Sequence, residues 1–321
     1  MKLNKDYIWP VVGLACVAFS SWLLYHQLRD LSLTDILDSL NAISLHRWLL
    51  AIGATLIAYA ALAGYDRLAL AHLRKKVPWR FITFASFTAY AIGHNIGASV
   101  FSGALVRYRA YSSLGLGGKD IGILVAFCSF TFFLGSLLLG GIVLLVEPRL
   151  AGRFFDSGSL WIPLTGGMLM LLLVGLYVIG SGLRFKSLKI RNLKLQYPRL
   201  PIVLRQLLIG PLELLAAAAI IYFALPDTNN PGYLLVLGIF LASFSAALIS
   251  HAPGGLGVLE LVFLLALPEL NQADVIAALL VFRLLYLLVP FAISIVIVLL
   301  FERAQWVRRW SAKEDHSNNS R

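Results

Sequence analysis

Charge is what this chain has least of. Asp, Glu, Lys and Arg make up only 13% of its residues, hydrophobic residues make up 59%, and the mean hydropathy is +0.82. A soluble domain carries about a quarter charged residues, so a water-soluble fold is excluded. Cysteine is nearly absent: Cys16 and Cys128 are the two, both inside apolar runs, which excludes a disulfide framework and reads as packing. No H-E-x-x-H, no clustered cysteine and no paired carboxylates accompany the histidines, so neither a metal nor a cofactor is expected. A nucleophile beside a base is missing too, as is any polar segment large enough to form a catalytic domain, so catalytic residues are not expected. Acidic residues number 16 against 27 Lys and Arg, a net charge of +11. The basic residues sit in short clusters between apolar runs rather than on one continuous patch, which argues against a nucleic-acid partner.

What the chain has instead is length in hydrophobic runs. About 20 apolar residues span a bilayer. Runs 8–25, 48–65, 81–101, 121–146, 160–183 and 233–250 are free of charge, while 202–225 holds Arg205 and Glu213 and 275–301 holds Arg283. The chain reads as an all-α polytopic membrane protein. Lys2 and Lys5 before the first run imitate a signal peptide, but no A-x-A site follows, so that run reads as an uncleaved first helix.

Loop charges set the orientation, because short loops rich in Lys and Arg stay cytoplasmic. Lys2 and Lys5 place the N-terminus inside, and Asp30, Asp35 and Asp38 mark an outside loop. Arg67, Arg74, Lys75, Lys76 and Arg80 mark the next inside loop, and the cluster from Arg184 to Arg205 marks another. For 121–146 to end outside, residue 119 must lie on the same side as residue 80, so 81–117 enters from the cytoplasm and returns to it. In the second half, 233–267 returns to the outside, where Asp227, Glu269 and Asp274 lie without Lys or Arg, and the chain ends inside near Arg303, Arg308, Arg309 and Lys313. Each half then has three transmembrane helices plus a re-entrant broken-helix hairpin, and the odd number of crossings inverts one half relative to the other. The expected organisation is a first membrane repeat over 1–150, an inverted second repeat over 151–310, and a disordered cytoplasmic tail over 311–321.

The two hairpins carry matching glycine-rich interruptions. The first is Gly93-His94-Asn95-Ile96-Gly97, running into Ser102-Gly103-Ala104-Leu105-Val106-Arg107-Tyr108-Arg109. The second is Ser250-His251-Ala252-Pro253-Gly254-Gly255-Leu256-Gly257-Val258-Leu259-Glu260. Gly103 opposite Gly254 is an offset of 151 residues (254 minus 103), which sets Arg109 opposite Glu260. Broken helices at corresponding places in two halves point to a transport site near the midplane. Such backbone must line a cavity or be covered by protein, and half-helix N-termini there suit a phosphate. Close helix packing at the glycines is the plainer alternative.

Charges inside a membrane segment default to function, with a partner. Arg107 and Arg109 diverge by about 200° on a helix, so one reaches the cavity while the other snorkels or pairs elsewhere. Glu260 is expected to pair with Arg109 or with Arg283 across the repeat interface; a purely structural ion pair is the competing reading. His94, Asn95 and His251 stand at the breaks as hydrogen-bonding residues. Glu213, after Pro211, is a candidate for proton coupling.

These strings, with Phe282-Arg283-Leu284-Leu285-Tyr286 further on, resemble the lysylphosphatidylglycerol synthase transmembrane (flippase) family, and its stand-alone, YbhN-type inner-membrane members in particular. The resemblance covers almost the whole chain. It implies lipid translocation, since in two-part members this module moves aminoacylated phosphatidylglycerol between leaflets. It also carries Arg107, Arg109, Glu260 and Arg283 over as functional positions. Two-part members add a soluble aminoacyl-transferase domain, which this sequence lacks, so it is not expected to act as an enzyme. The expectation is a translocase for a membrane phospholipid or related phosphate-bearing lipid in a bacterial inner membrane, both termini cytoplasmic. Two rivals stay open: a transporter of a small soluble solute, and a scaffold or regulator whose partner is a lipid-synthesis enzyme.

Overall fold

A computed structural model describes residues 32–96, 99–154, 160–183, 188–190, 193–195, 197–250 and 253–318. The run at 8–25, Cys16, Gly97 and His251 lie outside these residues. Helix α1 (Leu33–Ala42) opens with a capping box: Ser32 Oγ accepts from the Asp35 N–H at 3.2 Å, and the Asp35 carboxylate accepts from the Ser32 N–H at 3.1 Å. Then follow α2 (Leu45–His72), α3 (Trp79–Ile96), α4 (Ser99–Ser112) and α5 (Gly118–Val146). After a 3-10 turn at Pro148–Arg153 come α6 (Trp161–Gly182), a two-stranded antiparallel hairpin of β1 (Leu188–Ile190) and β2 (Leu193–Leu195), and α7 (Leu200–Ala224). The second half continues with α8 (Tyr233–Ser250), a turn at Pro253–Gly255, α9 (Val258–Ala266) and α10 (Gln272–Phe282). A π-helical stretch at Arg283–Leu288 leads into α11 (Val289–Asn318).

One feature adds to the sequence reading and another departs from it. The basic loop after α6 carries a short β-ribbon, as suits its alternation of Leu188, Lys189 and Ile190 with Leu193, Lys194 and Leu195. The tail is not disordered throughout, because α11 stays helical to Asn318, through Ala312, Lys313 and Glu314, all good helix formers.

Among the described residues, six helices are long and apolar enough to cross a membrane: α2, α5, α6, α7, α8 and the continuous helix from Gln272 to Arg303. Their outward faces are apolar as well, with Leu172, Leu208, Ile249 and Leu299 all exposed, as suits a lipid solvent. Small residues let the helices approach closely. Gly64 of α2 lies against Ile209 of α7, and a Cβ on Gly135 of α5 would come within 2.7 Å of the Gly210 backbone in α7. α2 and α7 pack along one another.

The short helices form two hairpins that open towards opposite ends of the bundle. Lys75, just before α3, pairs with Asp120, at the start of α5 just beyond α4, at 2.8 Å, so the first hairpin begins and ends at one level. Arg153, beyond the far end of α5, pairs with Glu269 at 2.8 Å and donates to the Ala266 carbonyl at the end of α9. Gly238, early in α8, packs against Leu150 at that same end. The 29 residues of α5 rise about 43 Å between the two levels. The hairpin tips meet inside: Gly254 lies beside the His94 carbonyl, and Asn95 Nδ2 donates to the Leu287 carbonyl at 3.0 Å.

Candidate functional site

Thr55, Tyr59, Leu62, Tyr65, Asp66 and Ala69 recur at helical spacing along the buried stripe of α2. Asp66 is fully buried and meets Arg107 of α4, itself 4% exposed. Arg107 Nε donates to both Asp66 oxygens at 3.1 Å and its Nη2 to Oδ1 at 2.9 Å. Tyr111 Oη adds a bond to Oδ2 at 2.9 Å and Cys128 Sγ one to Oδ1 at 3.4 Å. The Tyr90 ring covers the guanidinium, with Cζ 4.4 Å from its centroid. A buried pair survives in a low dielectric only when its remaining lone pairs are satisfied in this way. Arg107 Nη1 is turned towards Gly103, where a Cβ would come within 3.2 Å. Cys128, expected only to pack, is therefore part of the ion-pair shell.

The second buried pair is Glu260 with Arg283. Arg283 Nε donates to Glu260 Oε1 at 2.6 Å, and its Nη1 and Nη2 reach the carbonyls of Gly254 and Gly255 at 3.0 and 3.4 Å. Those carbonyls turn inward because Gly254, Gly255 and Gly257 all adopt positive φ, which an L side chain resists. Glu260 Oε2 accepts the Gly257 N–H at 2.9 Å. The N-terminus of α9, expected to offer itself to a phosphate, thus already holds a carboxylate of its own chain. Of the two partners open to Glu260 it takes Arg283. Arg109 is instead turned to the other side of α4, in a bidentate, half-exposed pair with Glu302 of α11 at 2.7–2.8 Å.

The π-helical stretch explains how the tips are held. Pro290 has no N–H to give to the Tyr286 carbonyl one turn back. Tyr59 Oη supplies it at 2.9 Å, while Asn95 takes the Leu287 carbonyl. Interruptions of this kind cluster at functional sites.

Above the Asp66–Arg107 pair lies a cavity of about 110 Å³, with room for several waters. Its wall includes Arg107, His94, Tyr90, Glu213 and Phe244. Glu213 is 2% exposed; its oxygens accept from Tyr286 Oη at 2.5 Å and Tyr65 Oη at 3.4 Å, with no cation among the described residues paired to it. His94 stacks on Tyr286, centroids 5.4 Å apart, and its Nδ1 is buried without a hydrogen-bond partner. On the far side of the α3–α4 hairpin a second, apolar groove of about 520 Å³ runs between α3, α4 and α11, with Arg109 and Glu302 on its rim. Among the described residues no group of three or more His, Cys, Asp or Glu is placed to hold a metal.

Of the residues singled out from the sequence, His94, Arg107 and Glu213 reach the cavity. Asn95, Gly254, Gly255, Glu260 and Arg283 form the tip scaffold beside it, and Gly103 gives Arg107 its space. Arg109 belongs to the groove. Sequence reasoning missed Asp66, Tyr65, Tyr111 and Tyr286. Asp66 borders the basic loop and was passed over with it, although the stripe from Thr55 to Ala69 places it inward.

Apart from the α11 residues of the groove, Glu302 among them, the arrangement lies inside a stretch with a known counterpart. Residues 11–294 match the family described as lysylphosphatidylglycerol synthase TM region. The chain belongs to that family. Among its relatives, the uncharacterised protein slr0712 of Synechocystis is 31% identical over 87% of both chains. Inner membrane protein YbhN of Escherichia coli is 33% identical over 78% of this chain and 79% of its own. A phosphatidylglycerol lysyltransferase of Staphylococcus haemolyticus is 25% identical over 85% of this chain but only 32% of its own length. This family member is therefore an integral membrane protein similar almost end to end to slr0712 and YbhN, and to the lysyltransferase over about a third of the latter.

Proposed function

We propose that this protein moves a phosphate-bearing lipid between the leaflets of a bacterial inner membrane. The observation that carries the reading is the charged cavity at the meeting point of two hairpin tips, within a bundle whose outer surface is apolar. The hairpins opening to opposite ends, each after one long helix and before another, support two inverted repeats over 1–150 and 151–310. Nine residues of α9 and 14 of α4 rise only about 14 and 21 Å, short of a ~30 Å core, which supports re-entrant segments. The basic clusters support a cytoplasmic side for both termini. The name of the YbhN relative supports the inner membrane, and that of the lysyltransferase supports a phosphatidylglycerol-like substrate.

In this reading the acyl chains lie in the apolar groove and the phosphate first meets Arg109, displacing Glu302. Arg109 is accessible and its partner exposed, so the exchange of one anion for another costs little. The head group then enters the cavity, where Arg107 Nη1 is the donor that Asp66 leaves over. Arginine suits both steps because its planar fork matches phosphate oxygens. Chemistry on the lipid is not part of the proposal.

The test is leaflet exchange of fluorescent phospholipids in proteoliposomes. The wild type should exchange lipid quickly, and Arg109→Gln and Arg107→Gln should both lose most of that rate. Absence of exchange with every head group tested would leave the scaffold reading instead. Uptake of a soluble solute without lipid exchange would favour the other rival.

A further inference from the structure

We infer that Glu213 is a proton-binding site of the central cavity, so that the cavity carries a proton as well as its cargo. The coupling rests on the translocation reading above; the proton site itself does not.

The argument begins with an asymmetry among the buried carboxyl groups. Asp66 and Glu260 each have an arginine within 3 Å, and these two pairs are internally neutral. Glu213, as deeply buried, has only hydroxyl partners. An ionised carboxylate without a cation in a low-dielectric interior is far costlier than its neutral acid. The groups facing it can be named helix by helix. α2 presents Tyr65 and Asp66, and α5 presents Cys128. α3 presents Tyr90 and His94, α4 Arg107, and the π-helical stretch Tyr286. α8 closes the wall with Phe244 and Leu248, which do not titrate. Arg107, the cation on the cavity wall, is committed to Asp66, and Arg283, in the tip scaffold beside it, to Glu260. Among the described residues no fixed positive charge is left for Glu213.

A second observation points the same way. His94, stacked on the tyrosine that bonds Glu213, keeps a buried Nδ1 with no partner. Orphaned buried polar atoms are rare and mark places where something is taken up or released. The cavity wall thus holds two titratable groups, neither tied to an opposite charge, at the point where the hairpin tips meet. The step is a simple proton transfer. The Glu213 O–H bond breaks and its proton passes to cavity water, leaving a carboxylate whose charge Tyr286 and Tyr65 stabilise by their O–H groups. Proton uptake from water reverses it, and no oxidant or co-reactant is involved. Because the head group occupies the same cavity, each protonation state favours a different occupancy, which is linkage in its ordinary form.

Infrared difference spectroscopy of the purified protein in lipid nanodiscs, stepped in pH, reads the proton directly. The carbonyl band of a protonated, buried carboxylic acid is expected at neutral pH in the wild type and should be lost in Glu213→Gln. It should shift in Tyr286→Phe, which removes the shortest hydrogen bond and serves if the glutamine variant does not fold. Absence of the band at neutral pH, or its persistence unchanged in both variants, overturns the proposal. In the vesicle assay, a pH gradient should change the wild-type exchange rate several-fold and leave Glu213→Gln unaffected. Wild-type exchange that ignores the gradient would remove the coupling while leaving lipid translocation intact.

Discussion

At the scale of single residues, the two buried ion pairs have different duties. Asp66–Arg107 joins α2 to α4 with every carboxylate lone pair engaged, so removing one charge strands the other in a dry interior. Asp66→Asn is expected to destabilise the protein by about 3–5 kcal/mol, seen as a lower melting temperature in nanodiscs. Adding Arg107→Gln to that variant should recover part of the loss, because the orphaned charge then disappears; a double mutant less stable than Asp66→Asn alone would refute this account. Arg109→Gln should leave the melting temperature near wild type, since its pair with Glu302 is solvent-facing, so a loss of lipid exchange in that variant is not a folding effect. Arg107, Arg109 and Glu260 were legible in the sequence because a charge in an apolar run stands out. Asp66 was not, because it adjoins the basic loop where a charge looks ordinary.

Elements are broken here by small, specific means. The chain turns between α8 and α9 on three glycines with positive φ, and the carbonyls of Gly254 and Gly255 serve Arg283. Gly255→Ala forces an L residue into that region, at a cost of about 1–2 kcal/mol, and places a Cβ 2.8 Å from Leu259. A lower melting temperature together with slowed exchange is the expected result. Gly53, in the middle of α2 with open space where a Cβ would stand, is the contrasting case. Gly53→Ala should hold or raise stability by up to about 1 kcal/mol, and a fall there would show that the glycine has a contact partner not provided by this fold. Both breaks were visible as glycine clusters. The π-helical stretch was not, because its Tyr286 carbonyl takes a hydroxyl donor from Tyr59 of α2, a contact 227 residues distant.

For the whole molecule the central expectation concerns sides. Lys75 and Asp120 belong to one end of the bundle, Arg153 and Glu269 to the other. Single cysteines at these four positions, in a Cys16→Ala, Cys128→Ala background, should react with an impermeant maleimide from opposite faces of oriented vesicles. The first two are expected from the cytoplasmic face and the last two from the other. Labelling of all four from one face would refute the opposed hairpins and, with them, the inverted repeat.

Membrane residence, helical class and the places of the two breaks came from composition, run length and glycine position. Those properties are local and additive along the chain, so they can be read without a fold. Partner choice could not be. Glu260 had two arginines within reason, and its selection of Arg283 over Arg109 followed from the inward-facing carbonyls of Gly254 and Gly255 and from Glu302 waiting for Arg109 on α11. The cavity, its uncompensated Glu213 and the apolar groove beyond the first hairpin likewise exist only once helices from both halves are packed, because each wall is contributed by segments far apart in sequence.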